Sequence, residues 1–208
     1  MSNPTTSTVA FIGLGNMGTP MAGRLVDAGY RVRGFDLAEA ARERLTAGGG
    51  TAVASAVEAV TGADVVILML PNSDIVEAAL VGEAGVLSSL QPGTLVIDMS
   101  SSEPLRTRSL AEVVSAGGAR LIDAPVSGGV IGAVGGTLAI MVGGADDDFA
   151  QVQPLLQVLG KPTHVGAIGA GHALKAINNL MSAAHLWVSS EAMLTGIAFG
   201  LDPEVMLE

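Results

Sequence analysis

Three glycines, Gly13, Gly15 and Gly18, stand in a GxGxxG spacing and follow a short apolar run from Thr8 to Ile12. A helical pattern opens straight after them, with Met21, Ala22, Leu25 and Val26 on one face and Gly29 as its stop. Asp36 ends a second run, Arg31 to Asp36, 18 residues beyond Gly18. Glycines so placed have a chemical use. The first lets the chain turn tightly, the second lets backbone approach a pyrophosphate, and the third lets helix and strand pack closely. The new helix offers unpaired N–H groups and its positive dipole end to an anion. Gly13, Leu14, Gly15, Asn16, Met17 and Gly18 are therefore the candidate cradle for a nicotinamide dinucleotide. Asp36 can accept hydrogen bonds from both ribose hydroxyls of NAD and would repel the 2′-phosphate of NADP. NAD is the expected cofactor and NADP the alternative, because Arg31 and Arg33 precede Asp36 and are not placed as a phosphate clamp.

Other chemistries find no residues. The chain has no cysteine, which excludes disulfides, thiolate catalysis and cysteine-based zinc sites. His164, His172 and His185 are dispersed, so no metal site is expected, and His172 reads as a helix-start residue. Asp146, Asp147 and Asp148 read as the first turn of a helix, where dipole logic favours acids. A formal charge of -10 argues against nucleic acid and anionic membrane surfaces. Ala124 to Ala145 carries no charge, but its seven glycines argue against a spanning helix and for loop plus buried strand. The polar start, Met1 to Thr8, lacks the basic stretch of a secretory signal, and a cytoplasmic location is expected.

The elements that must position these residues alternate. Apolar runs at Val65 to Leu70, Leu95 to Asp98, Arg120 to Asp123 and Leu138 to Val142 read as strands. Helical patterns at Leu37 to Ala47, Ala52 to Val60, Ser73 to Leu80, Glu103 to Ala116 and Asp147 to Leu159 lie between them. Strand–helix alternation over about 160 residues predicts a Rossmann-type α/β fold, a doubly wound and mostly parallel sheet. From Gly171 to about Phe199 the sequence turns into one long helical run. The expected organisation is a dinucleotide-binding domain over 1–168, then a linker helix and the start of an all-helical second domain over 169–208. Hydrophobic residues make up 49% of the chain and aromatics 3%, so Val, Leu, Ile, Ala and Met must fill the core.

Three segments together resemble one family. Phe11-Ile-Gly-Leu-Gly-Asn-Met-Gly-Thr-Pro-Met-Ala22 resembles the N-terminal signature of the β-hydroxyacid dehydrogenases. Asp123-Ala-Pro-Val-Ser-Gly-Gly-Val-Ile-Gly-Ala-Val-Gly-Gly-Thr-Leu138 is similar to that family's substrate-binding motif. Gly169-Ala-Gly-His-Ala-Leu-Lys-Ala-Ile-Asn-Asn179 is similar to its catalytic motif. The resemblance implies that Lys175 is the catalytic lysine and that Asn179, one turn on, helps to orient the substrate. It implies that Ser127, Gly128 and Gly129 hold the substrate carboxylate. Leu70 and Pro71 would lie against the cofactor, and Ser101 near both nicotinamide and substrate. Ser100 and Ser102 read as caps for the helix after Pro104.

The chemistry is coherent. Oxidising a hydroxy acid needs a hydride acceptor and a base for the hydroxyl proton, and burial can fit a lysine for that work near neutral pH. A small carboxylate-bearing substrate is expected, 3-hydroxyisobutyrate or tartronate semialdehyde among the candidates. Family members are longer, so the chain reads as C-terminally short. Its last helix, apolar and unpaired, is expected to join another copy in a homodimer or larger homo-oligomer. A module that binds NAD(P) without turnover is the alternative.

Overall fold

The computed structural model describes residues 7–207; the first part of the polar start read above lies outside the described residues. The chain builds one nine-stranded sheet with helices on both faces. In order come β1 (Thr8–Ile12), α1 (Gly18–Asp27), β2 (Arg31–Phe35), α2 (Glu39–Ala47), β3 (Thr51–Ala52) and α3 (Ala56–Val60). Then follow β4 (Val65–Leu68), α4 (Ser73–Val81), β5 (Leu95–Asp98), α5 (Pro104–Ala116), β6 (Arg120–Asp123), β7 (Val126–Ser127) and α6 (Gly129–Gly135). The rest is β8 (Leu138–Gly143), α7 (Asp146–Leu159), β9 (Gly160–Gly166) and α8 (Ala170–Ala198).

Strand order runs β3-β2-β1-β4-β5-β6-β8-β7, with β9 beside β8. From β3 through β6 every pairing is parallel; β8 meets β6 and β7 antiparallel and β9 parallel. The first six strands give the order of a dinucleotide-binding sheet, which reverses between β1 and β4 and opens a crevice at the strands' C-terminal ends. The predicted α/β class is therefore the fold observed.

Period-two alternation divides the core. Val9, Phe11, Val65, Ile67, Leu95 and Ile97 face α1 and α7, while Ala10, Ile12, Val66, Leu68 and Val96 face α3, α4 and α5. Both faces are apolar because both are covered, which is why β4 reads as the unbroken run Val-Val-Ile-Leu. Each such side chain contributes about 1.5–3 kcal/mol on burial.

Several stretches differ from the sequence reading: the short strands β3 and β7 were not anticipated, the helix expected over Ala52 to Val60 begins at Ala56, and two longer segments also depart from it. The glycine-rich segment after Ser127 holds a short helix, α6, where only loop was expected. Tertiary contact overrides propensity here: Arg24 in α1 donates to Val134 O at 3.2 Å, and α6 packs against α1 and β8. The strand β9 was not anticipated. It contains Pro162 and polar Lys161 and Thr163, and it pairs with β8 alone, so it is an edge strand that tolerates proline.

Candidate functional site

The candidate residues from Gly13 to Ser101 lie beyond the C-terminal end of a parallel strand, in the loop or at the start of the helix that follows, whereas Ser127 and Gly128 lie at the end of β7, which is antiparallel to β8. Gly13 follows β1, turning the chain with φ +97°, and its N–H donates to Phe35 O at 2.9 Å. A Cβ on Gly18 would collide with the Gly13 carbonyl, so α1 approaches β1 through bare backbone. At Gly15 an added Cβ would meet nothing within 4 Å, so the turn is open there. Asp36, just past β2, accepts from Leu14 N at 2.7 Å and from Ala38 N at 2.8 Å. Its carboxylate is thus fixed against the glycine turn. This open backbone cradle, with a carboxylate beside it, fits the pyrophosphate and adenosine ribose of a dinucleotide.

Leu70 and Pro71 follow β4. Leu70 reaches the turn, its Cδ2 being 3.0 Å from where a Gly13 Cβ would stand. Its N–H donates to Ser100 Oγ at 2.9 Å. Ser100 is therefore fully buried as a strut beneath the Leu70 loop, not a helix cap. Ser102 is no cap either: its hydroxyl donates to Asp98 Oδ2 at 2.8 Å. Glu103 occupies the N-cap position of α5, and its N–H is taken by Ser73 Oγ at 2.8 Å.

Ser101, between these two struts, is exposed into a cleft of about 340 Å³. Lys175 and Asn179 of α8 line the same cleft, as do Asn72, Ser73 and His172. Three candidates from two separate parts of the chain thus meet. Lys175 is half-buried, and burial pushes its ammonium below the usual lysine range. Ser127, Gly128 and Gly129 do not line this cleft; they form the end of β7 and the entry to α6, with Ser127 half-buried and both glycines exposed.

Arg106 stands at the cleft's edge but is occupied. Its guanidinium donates to both Glu77 oxygens at 2.8 and 2.7 Å and pairs with Asp74 at 2.7 Å and Glu103 at 3.5 Å. The Glu77 carboxyl is held below its ordinary range chiefly by that hydrogen bonding.

Sequence reasoning missed the acids beneath the cleft. Asp98 and Asp123 close β5 and β6 and are 1% and 0% exposed. Asp123 accepts from Gly169 N at 2.6 Å and His172 N at 2.7 Å, capping α8 from another strand. Burial raises the Asp123 carboxyl's pKa, opposed by those hydrogen bonds and the neighbouring imidazole. The available signal was an acid ending each of two apolar strands, Leu-Val-Ile-Asp and Arg-Leu-Ile-Asp, at the edge where such sheets place their sites.

Fold and cradle together define an NAD(P)-binding oxidoreductase domain. Comparison with known proteins agrees. Residues 8–172 match the family described as the NAD binding domain of 6-phosphogluconate dehydrogenase. Residues 169–208 match that described as NAD-binding of NADP-dependent 3-hydroxyisobutyrate dehydrogenase. The chain is 43% identical over 201 residues to 2-(hydroxymethyl)glutarate dehydrogenase of Eubacterium barkeri and, equally, to NAD-dependent L-serine dehydrogenase of Pseudomonas aeruginosa. Each match covers 96% of this chain and 67% of the relative. Among solved structures, 3-hydroxyisobutyrate dehydrogenase of Mycobacterium tuberculosis, solved with L-serine, superposes with a TM-score of 0.90. That match has 42% identity and covers 94% of this chain and 67% of that one. The chain belongs to the β-hydroxyacid dehydrogenase family and spans about two thirds of the length of these relatives.

Proposed function

We propose that the protein transfers a hydride between NAD(P) and a small β-hydroxy acid or its semialdehyde, with Lys175 as the general acid and base. The observation that carries this reading is the meeting of Lys175, Asn179 and Ser101 in one cleft, with the lysine's basicity lowered by burial. The bound dinucleotide supplies the hydride acceptor or donor. Lys175 takes the hydroxyl proton during oxidation and returns it during reduction. Ser101 and Asn179 offer hydrogen bonds that orient the hydroxyl. Arg106 is already bound by three carboxylates and is not free for the substrate's carboxylate, which the family resemblance assigns to Ser127 with the backbone of Gly128 and Gly129, beside the cleft and not in its lining. Candidates are 3-hydroxyisobutyrate, L-serine and tartronate semialdehyde. Asp36 favours NAD over NADP.

In this reading residues 1–168 act as the cofactor-binding domain, and 169–208 begin a second, helical one. The outward side chains of α8, Leu180, Leu186, Trp187 and Leu194 among them, are 62–71% exposed and support association with another copy. Among the described residues no helix is long and apolar enough to cross a membrane; a cytoplasmic location is part of the proposal.

The test is NADH and NADPH oxidation against a panel of small semialdehydes, and the reverse reaction with 3-hydroxyisobutyrate and L-serine. Lys175→Ala is run beside the parent. We expect kcat to fall by about 10²–10⁴ in the variant, and undiminished turnover would remove Lys175 from the mechanism. A second reading, a module that binds NAD(P) without turnover, is favoured by the exposure of Asn179 on an open helix. NADH binding with no turnover on any substrate would select it.

A further inference from the structure

At the floor of the cleft lies a polar cluster that is almost wholly buried. Asp98, Asp123 and His172 are 1%, 0% and 1% exposed, and Ser100 and Thr107 join them at 0% and 3%. The His172 ring lies between two carboxylates, Nε2 at 3.7 Å from Asp98 Oδ2 and Nδ1 at 3.8 Å from Asp123 Oδ2. Its closer partners are Ser100 O, 3.1 Å from Nε2, and Thr107 Oγ1, 2.8 Å from Nδ1. A carbonyl oxygen only accepts, so Nε2 carries a proton. Burying ionisable groups costs several kcal/mol each unless they are paired and hydrogen-bonded, and here each has partners.

The cluster's contacts lead to the residues that line the site. Asp98 accepts from Ser100 N at 2.9 Å and from Ser102 Oγ at 2.8 Å, fixing both neighbours of Ser101. Ser100 Oγ accepts from Leu70 N, fixing the loop beside the glycine turn. Asp123 holds the first turn of α8, and His172 precedes Lys175 by three residues on that helix, on the same face.

We propose that His172, locked between Asp98 and Asp123, is a positioning residue that sets Lys175 against Ser101 across the cleft. The proposal rests on the role given to Lys175 above. It predicts that loosening His172 frees the first turn of α8, so that Lys175 gains solvent while the glycine turn is untouched.

The chain's two lysines, Lys161 and Lys175, make this measurable without turnover. Competitive acetylation of the 208-residue chain across pH, read by mass spectrometry, gives each amine's titration midpoint, with exposed Lys161 as the internal standard. In His172→Leu we expect the Lys175 midpoint to rise by at least about half a unit, which is roughly threefold less free amine at pH 8. Lys161 and the dissociation constant for NADH should stay as in the parent. His172→Gln keeps one donor and one acceptor and should restore the parent midpoint. Thr107→Val leaves His172 in place and removes the Nδ1 contact, together with the hydroxyl's bond to the Glu103 carbonyl within its own helix; it should shift Lys175 in the same direction and decides the matter if His172→Leu does not fold. An unmoved Lys175 in a folded variant, or no recovery in His172→Gln, overturns the proposal. A chain that turns over no substrate, yet whose Lys175 follows His172, would sink the dehydrogenase reading and leave this one standing.

Discussion

At the scale of single residues, Lys175 and Asp36 make separable predictions. The folded chain holds the Lys175 proton less tightly than the unfolded chain does, because burial disfavours the ammonium. Between the lowered folded pKa and the ordinary lysine value the unfolded state binds more protons, so stability rises with pH across that window. Lys175→Met removes the penalty. The variant should melt higher than the parent at pH 7, and the gap should close as pH approaches the ordinary lysine range. Thermal melts followed by circular dichroism at several pH values check this; a gap independent of pH would show that ionisation is not its source. Asp36→Ser removes the charge set against a 2′-phosphate and should bring the preference for NADH over NADPH down by about tenfold or more, measured as a ratio of dissociation constants. Because Asp36 also accepts from Leu14 N and Ala38 N, affinity for both cofactors should drop somewhat in the same variant.

At the scale of elements, the junction of β1 and α1 separates folding from binding within six residues. Gly18→Val would drive its Cβ into the Gly13 carbonyl and should cost a few kcal/mol in chemical denaturation. At Gly15 the Cβ of a valine meets nothing within 4 Å and there is no positive φ to strain, so Gly15→Val should fold like the parent. Its side chain would stand where backbone must meet phosphate, and NADH affinity should fall by at least about tenfold. A Gly15→Val chain that binds NADH normally would remove this turn from the cofactor site.

The same junction shows what local sequence could reveal. The glycine turn, its strand and its helix are contiguous, and so are Val65–Leu68 and Leu95–Asp98; their periodicity made them readable. The His172 cluster was not readable, because its hydrogen bonds join residues 49, 65 and 72 positions apart. Ser100 looked like a cap for the same reason, since its partner Leu70 lies 30 residues back. The helix α6 was hidden by glycines that its neighbours tolerate. Lys175, Asn179 and Ser101 were placed by motif resemblance, and only the packing of α8 over β6 and β8 brings them into one cleft.

At the scale of the whole molecule, α8 is the element least matched to its surroundings. Its first turn is anchored by Asp123, yet from Leu180 onward it leaves the sheet with almost all side chains exposed. A helix that is apolar around much of its girth is built to be covered. Light scattering at micromolar concentration should report a mass above that of one chain, and a monomer would count against the association proposed here.

Trp187 is the chain's one tryptophan, and it stands on α8 with 71% of its surface exposed. The tryptophan fluorescence of this protein therefore reports on the helix and not on the sheet. Its emission should begin near that of indole in water and move to the blue as the helix is covered, rising with protein concentration. Melting of the α/β core would leave that signal almost unchanged in a lone chain, so an unfolding curve read at tryptophan wavelengths would follow the wrong event.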